Sequence, residues 1–330
     1  MNRKNLLVRA PLVVAGLSLG YGSTPVRAAD APLELRIGYQ KIGALLILKQ
    51  RGSLEKRLAA NNVTVSWVQF QSGPPLIEAL NAGAIDFGYT GDMPAIFAQA
   101  SGVDFVYVAS IPQPGASKAL LVREDAHIRS LADLRAKKIA LVKGSSAHYV
   151  LVQVLKKANI PWDQVTPVYL QPADGGAALQ SGSVDAWSIW DPFYALNEHV
   201  SGLHVLTNAV GIAPSNDFFL ATRAFANKNP AIVAAVIDET TDAWHWAAHH
   251  QSELAAVFSE ASGVPVDIEK VVAARGNYEI AYITPQVTRL QQSIADTFSG
   301  LGLIPHSIEI ARAVWTPTTA SLTATREERK

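Results

Sequence analysis

Ile85–Gly102, IDFGYTGDMPAIFAQASG, is the stretch whose reading decides the fold. A short β-prone run, Ile85 to Tyr89, meets a turn of small polar residues, Thr90-Gly91-Asp92. A helical stretch from Met93 to Ser101 follows and stops at Gly102. Strand, turn and helix in that order are half of a βαβ unit, the building block of α/β proteins whose helices cover a mostly parallel sheet. The alternation continues outward in both directions. Upstream, the patterning predicts a strand over Leu33–Tyr39, a helix over Ala44–Asn61, a strand over Val63–Phe70 and a helix over Pro75–Ala82 closed by Gly83; downstream it predicts a strand over Phe105–Ser110.

A second cycle starts after the Pro112–Gly115 loop. Strands are expected at Ala119–Val122, Lys138–Val142, Val165–Leu170 and Ala186–Ile189, with helices at Ser130–Arg135, Ala147–Ala158 and Gly176–Ser181. One more strand, Phe218–Thr222, precedes four helices over Pro230–His250, Glu253–Ser262, Asp267–Ala274 and Pro285–Leu301. Such a helical segment cannot build a sheet of its own, so it is expected to return and cover the first one. The fold class is therefore a two-lobed α/β protein. Lobe 1 takes residues 29–115 and 215–315, the second part mainly helical; lobe 2 takes 116–214. Crossings near 112–118 and 212–218 form the hinge, and a polar tail, 316–330, is expected to be mobile.

The chain has 330 residues, 49% apolar and 17% charged, enough for two domains with sizeable cores. Its 28 basic residues balance 28 acidic ones, which leaves no excess to hold a nucleic-acid backbone. Cysteine is absent, excluding disulfides, thiol catalysis and lipid attachment through cysteine. Arg3, Lys4 and Arg9 precede the apolar run Ala10–Gly20, with small residues at Thr24, Ala28 and Ala29: the pattern of a secretory signal peptide, 1–28, cut after Ala28. Its loss removes Arg3, Lys4, Arg9 and Arg27 and no acidic residue, so the mature chain is mildly acidic. The run is too short to span a bilayer, which implies a periplasmic protein, exported and without a lipid anchor.

In open α/β sheets ligands bind outside the carboxyl ends of strands, where loops lead into helix N-termini. Here those ends carry Gln40-Lys41, Gln71-Ser72-Gly73, Thr90-Gly91-Asp92, Lys143-Gly144-Ser145-Ser146-Ala147-His148, Ala173-Asp174-Gly175 and Trp190-Asp191-Pro192. Free backbone N–H groups and helix dipoles converging on one cleft make a site for a small oxyanion without a buried cation. Gly73, Gly91 and Gly144 would let a ligand approach the backbone. Thr90, Ser145, Ser146 and Gln40 would donate hydrogen bonds, and Trp190 would supply an apolar wall. Each loop alone is an ordinary helix cap; six together point to a site. Asp92 and Asp191 cap helices in any case, and Trp187, on the opposite strand face, belongs to the core.

Other chemistries have weaker support. His245, His249 and Glu253 share helical spacing, but no His-Glu-x-x-His accompanies them and no metal site is expected. Ser145 or Ser146 with His148 lacks the Gly-x-Ser-x-Gly elbow of a serine hydrolase, and no nucleotide-binding glycine motif occurs.

Four segments carry a family resemblance: Arg36-Ile37-Gly38-Tyr39-Gln40-Lys41; Thr90-Gly91-Asp92-Met93-Pro94 with Ile96-Phe97-Ala98-Gln99-Ala100; Lys143-Gly144-Ser145-Ser146 with His148; and Val184-Asp185-Ala186-Trp187 with Ile189-Trp190-Asp191-Pro192. Together they resemble the periplasmic aliphatic sulfonate-binding proteins of ABC importers, from about Leu33 to Trp315. The resemblance implies a type II periplasmic binding protein, not an enzyme, that closes two lobes over a sulfonate and docks on a permease with its ATPase subunits. Such a protein needs no cofactor, contacts no nucleic acid, does not span the membrane and acts as a monomer. It carries ligand contacts onto Gln40, Gly73, Thr90, Gly91, Ser145, Ser146, His148, Trp190 and Asp191; Asp92 and Asp174, at the same strand ends, complete the set of expected contacts. Tyr89 stands where a small residue is expected. The alternatives are a taurine- or nitrate-binding relative, with Asp191 or Asp174 facing a ligand amine, or a small-anion enzyme on the same fold.

Overall fold

The alternation of strands and helices produces two sheets of nearly the same plan. The structure, a computed structural model, describes residues 32–113 and 115–316, so the expected signal segment and the polar tail beyond residue 316 lie outside it. The first sheet contains β1 (Leu33–Gln40), β2 (Val63–Phe70), β3 (Phe87–Thr90), β4 (Phe105–Gln113), β10 (Ser215–Thr222) and β11 (Ala281–Tyr282), in the order β11-β4-β10-β3-β1-β2. The second contains β5 (Lys118–Arg123), β6 (Lys138–Leu141), β7 (Thr166–Tyr169), β8 (Ala186–Trp190) and β9 (Leu203–Asn208), in the order β7-β6-β8-β5-β9. Both sheets belong to one compact unit that starts at Leu33.

Strand direction explains the site. β1 pairs parallel with β2 and β3, and β6 pairs parallel with β7 and β8. The strand that follows each crossing runs the other way. β10 is antiparallel to both β3 and β4, and β5 is antiparallel to both β8 and β9. Most strands of each sheet therefore share one direction, as expected; a reversed strand is wedged between the third and fourth of them, and in the first sheet the two-residue β11, antiparallel to β4, is reversed as well. A reversed strand starts where its neighbours end: Lys118 opens β5 opposite Trp190, and Phe218 of β10 lies opposite Thr90.

Central strands are covered on both faces, which is why β4 and β5 read as nearly unbroken apolar runs. The helices are α1 (Ala44–Arg51), α2 (Ser53–Ala59), α3 (Gly73–Asn81), α4 (Asp92–Ala100), α5 (Ser146–Lys157), α6 (Pro172–Ser181), α7 (Phe193–Asn197), α8 (Arg223–Lys228), α9 (Pro230–His249), α10 (Gln251–Ser262), α11 (Val266–Arg275) and α12 (Pro285–Gly300). The C-terminal helices do return to the first sheet. Val233, Val236 and Trp244 of α9 share a buried cluster with Leu45 and Leu48 of α1 and with Ile37 and Phe219 of the sheet; each such side chain contributes about 1.5–3 kcal/mol by leaving water.

The single helix expected over Ala44–Asn61 is broken at Gly52, whose left-handed backbone (φ 61°) ends α1 and turns the chain into α2. The helix expected at Ser130–Arg135 is one 3₁₀ turn, Leu131–Leu134, held by a Ser130–Asp133 capping box. The strand β9, the short helices α7 and α8 and the two-residue strand β11 are additional to the elements that the sequence pattern predicts. Trp187 is buried, as expected, with Gly175 and Gly176 of α6 against its ring.

Candidate ligand-binding site

Strand ends and helix starts from both sheets converge on a cavity of about 140 Å³. Gln40, Thr90 and Gly91 line it from the ends of β1 and β3, Gly73 from the start of α3, Ser145 and Ser146 from the start of α5, and Trp190 and Asp191 from the end of β8. Eight of the residues carried over from the sequence thus meet at one place. A second wall, apolar, comes from Ile42 and from α9–α11 and the turn after them, with Trp244, Phe258, Val272 and Tyr278.

The donors differ in availability. Gln40 Nε2 donates to the Tyr89 carbonyl at 3.2 Å, and Ser145 Oγ donates to the Val142 carbonyl at 2.7 Å. Ser146 Oγ donates to Asp92 Oδ1, which ties the start of α5 to the start of α4 across the two sheets. The Thr90 hydroxyl is buried at the cavity and finds no hydrogen-bond partner among the described residues. A buried hydroxyl without a partner costs free energy that a ligand oxygen would recover.

Three expected contacts lie away from the cavity lining. Asp92 is wholly buried as the first residue of α4, where Oδ1 accepts from the Met93 N–H at 2.8 Å and from Ser146. His148 points into an aromatic nest, its ring centroid 5.1 Å from Trp162 and 5.0 Å from Phe298. Burial, aided by the nearby Lys143 charge, lowers its pKa to about 4, so the ring is neutral at pH 7. Asp174 is exposed in the first turn of α6. Two of the glycines also have close protein neighbours. A Cβ on Gly73 would strike the Thr90 hydroxyl and Pro94, and a Cβ on Gly91 would strike the Ser146 hydroxyl. The missing side chain lets these protein segments meet closely at the cavity lining. Asp191 does cap, accepting from the Ala195 N–H at 2.9 Å.

The expectation of a cleft without a buried cation is overturned by Lys118. This residue, only 4% exposed, lines the cavity at the start of β5 and donates through Nζ to Ser215 Oγ at 2.9 Å. Asp217, from reversed β10, also lines it and accepts from the Tyr89 hydroxyl at 2.8 Å. Burial pushes Asp217 up to about 6, against the pull of Lys118 and the Tyr89 hydrogen bond. Burial likewise pushes Asp191 up to about 7, with the Arg275 charge opposing. Neither Lys118 nor Asp217 follows the carboxyl end of its own strand, where ligand contacts are expected; reversed strands bring their beginnings to the cavity instead. The available signal was a lysine directly heading the apolar run Ala119–Val122, and an aspartate inside the strand Ser215–Thr222.

Among the described residues no three of His, Asp and Glu gather as a metal site, and no helix is long and apolar enough to cross a membrane. Residues 59–254 match the NMT1/THI5-like family. The chain belongs to it. Within that family it is 38% identical over 310 residues to an aliphatic sulfonates-binding protein of Escherichia coli, covering 93% of this chain and 96% of the relative. A Bacillus subtilis protein of the same description is 32% identical over 89% of each chain. The alkanesulfonate-binding protein of Xanthomonas axonopodis pv. citri, solved bound to MOPS, superposes with a TM-score of 0.82 at 37% identity, covering 87% of this chain and 99% of that one. The family resemblance and the two-sheet α/β architecture read from the sequence are both borne out by these likenesses.

Proposed function

We propose that this chain is the solute-binding protein that captures aliphatic sulfonates in the periplasm and delivers them to an ABC permease. The observation that carries the reading is the unpartnered Thr90 hydroxyl, facing a cavity whose other polar groups come from both sheets and whose remaining wall is apolar. A sulfonate stays ionised and offers three oxygens. Thr90, the N-terminal turns of α3 and α5 and the Lys118 ammonium are donors suited to them, while Trp190 and the α9–α11 wall suit a carbon tail. Lys118 is already balanced by Asp217, so hydrogen bonds and dipoles carry much of the head-group recognition.

The energetics close. Micromolar affinity corresponds to about −8 kcal/mol, and hydrogen bonds to a charged group contribute roughly 1.5–3 kcal/mol each, so a few of them suffice after ordering costs. Closure follows because only the closed form presents donors from both sheets to one ligand.

A catalytic reading has less support. His148, the obvious base, is walled off by Trp162 and Phe298 and is not part of the cavity lining. For taurine, Asp174 is on the outer surface and Asp191 is held by Arg275, which leaves Asp217 as the other carboxylate lining the cavity to meet a ligand amine.

Calorimetry with ethanesulfonate, taurine, sulfate and nitrate tests the proposal. Heat is expected from a sulfonate; none from any sulfonate at millimolar concentration would overturn it. Export is checked by fractionating cells and sequencing the N-terminus of the mature protein, which is expected to begin at Ala29.

A further inference from the structure

Arg275 ends α11, whose Val272 and Ala273 pack in the core beneath the first sheet, yet its guanidinium engages the second. Nη1 lies 3.1 Å from Asp191 Oδ1 and 3.3 Å from Oδ2; Nη2 lies 2.7 and 2.8 Å from the two carboxylate oxygens of Glu198. The guanidinium carbon sits 4.2 Å from the centre of the Tyr194 ring. All three partners come from the end of β8 and from α7. By contrast, the pairs Arg36–Asp86, Arg57–Glu239, Arg123–Asp125 and Arg223–Asp104 each stay among elements of a single sheet.

We propose that Arg275 is the clasp that holds the two halves of the molecule closed over the cavity and sets how fast a ligand leaves. The claim rests on the binding-protein reading above. Three features support it. Only arginine offers a planar fork that engages two carboxylates and stacks on a ring at once. The Arg275 side chain is 18% exposed and that of Asp191 2%, so the attraction is less screened than at a surface pair. The clasp also stands at the cavity itself: Asp191 and, beside Arg275, Ala273 and Gly276 are lining residues. Opening the cleft must pull α11 from α7 and break every contact of the fork together. Arg275 is thus a positioning residue that acts on the ligand through the closed state.

The absence of cysteine makes the test direct. Spin labels on Glu78→Cys, in the first half, and Lys157→Cys, in the second, report the distance between the halves in the full mature protein. Ethanesulfonate is the probe for binding kinetics by stopped-flow tryptophan fluorescence. In Arg275→Gln the label distances should lengthen, and ethanesulfonate should dissociate about tenfold faster with little change in association rate; Arg275→Lys, which keeps the charge without the fork, should fall between. Glu198→Gln tests the same clasp from the other side should Arg275→Gln fail to fold. Unchanged distances and unchanged dissociation in a folded variant, whatever its melting temperature, would overturn the clasp. Should the parent protein bind no sulfonate at all, the functional reading fails instead, and the clasp is judged by the label distances alone.

Discussion

The Tyr89 hydroxyl donates to Asp217 Oδ2 at 2.8 Å, joining the end of β3 to reversed β10 at the floor of the cavity. The contact puts a tyrosine where the family resemblance leads one to expect a small residue, and it holds a carboxylate that burial pushes up to about 6. The native state therefore binds more protons than the unfolded chain between the ordinary carboxylate value and about 6. In that window stability falls as pH rises, and the contribution of Asp217 is most favourable below it. Asp217→Asn should remove this component, so the stability difference between variant and parent should change by roughly 2–3 kcal/mol between pH 4 and pH 7.5, in favour of the variant at the higher pH. Urea unfolding at the two pH values measures it; parallel profiles would show that Asp217 does not titrate there.

Thr90→Val should separate stability from binding. It removes a buried hydroxyl without a partner and nearly preserves shape, so the unliganded protein should be as stable as the parent or up to about 1 kcal/mol more so. Ethanesulfonate affinity should weaken by about 1–3 kcal/mol. Thermal unfolding and calorimetry on the same preparation check both signs, and loss of stability with unchanged affinity would remove Thr90 from the site.

Lys118 and Asp217 should prove coupled. Lys118→Met leaves a buried carboxylate without its cation, a change expected to cost about 3–5 kcal/mol. Adding Asp217→Asn should restore much of that stability while leaving sulfonate binding weak. A double-mutant cycle reads the coupling directly; strict additivity would mean the two charges do not sense each other.

Gly175→Ala should destabilise without touching ligand affinity. A Cβ there would come within 2.7 Å of Trp187 Nε1, in a fully packed region, and overpacking of this kind costs about 1–3 kcal/mol. A lower melting temperature with unchanged calorimetry is the expected pair of results.

How much was legible follows from what each signal encodes. Period-two runs and glycine stops locate most strands and helices of both cycles, because central strands must be apolar and α3 and α4 run out just before the left-handed Gly83 and Gly102. Gly52 inside an apolar helical pattern was passed over since a glycine is tolerated within a helix; only its backbone angle reveals the break. The strand β9 is not legible because half-buried Leu203–Asn208 mixes apolar and polar residues without strict alternation and is short between turns. At the site, Thr90, Gly91, Ser145, Ser146, Trp190 and Asp191 were legible from their place after strands. Lys118 and Asp217 were not, because their position depends on two strands running backwards, which no local pattern declares. His148 misled for a related reason: its spacing from Ser145 is right for a helix start, but which way the ring points is decided by Phe97, Trp162 and Phe298 from distant parts of the chain.

The wedge position of β10 has a consequence for how the molecule comes together. β3 and β4 are separated in the first sheet by a strand that lies more than a hundred residues further along the chain, so residues made early cannot finish their own hydrogen-bond ladder. A chain truncated before Ser215 should stay open to protease where the full chain resists. Long-range pairing of this sort is slow, and a nascent polypeptide whose leading half stays unfinished until its last third emerges is one that a translocation channel can still thread.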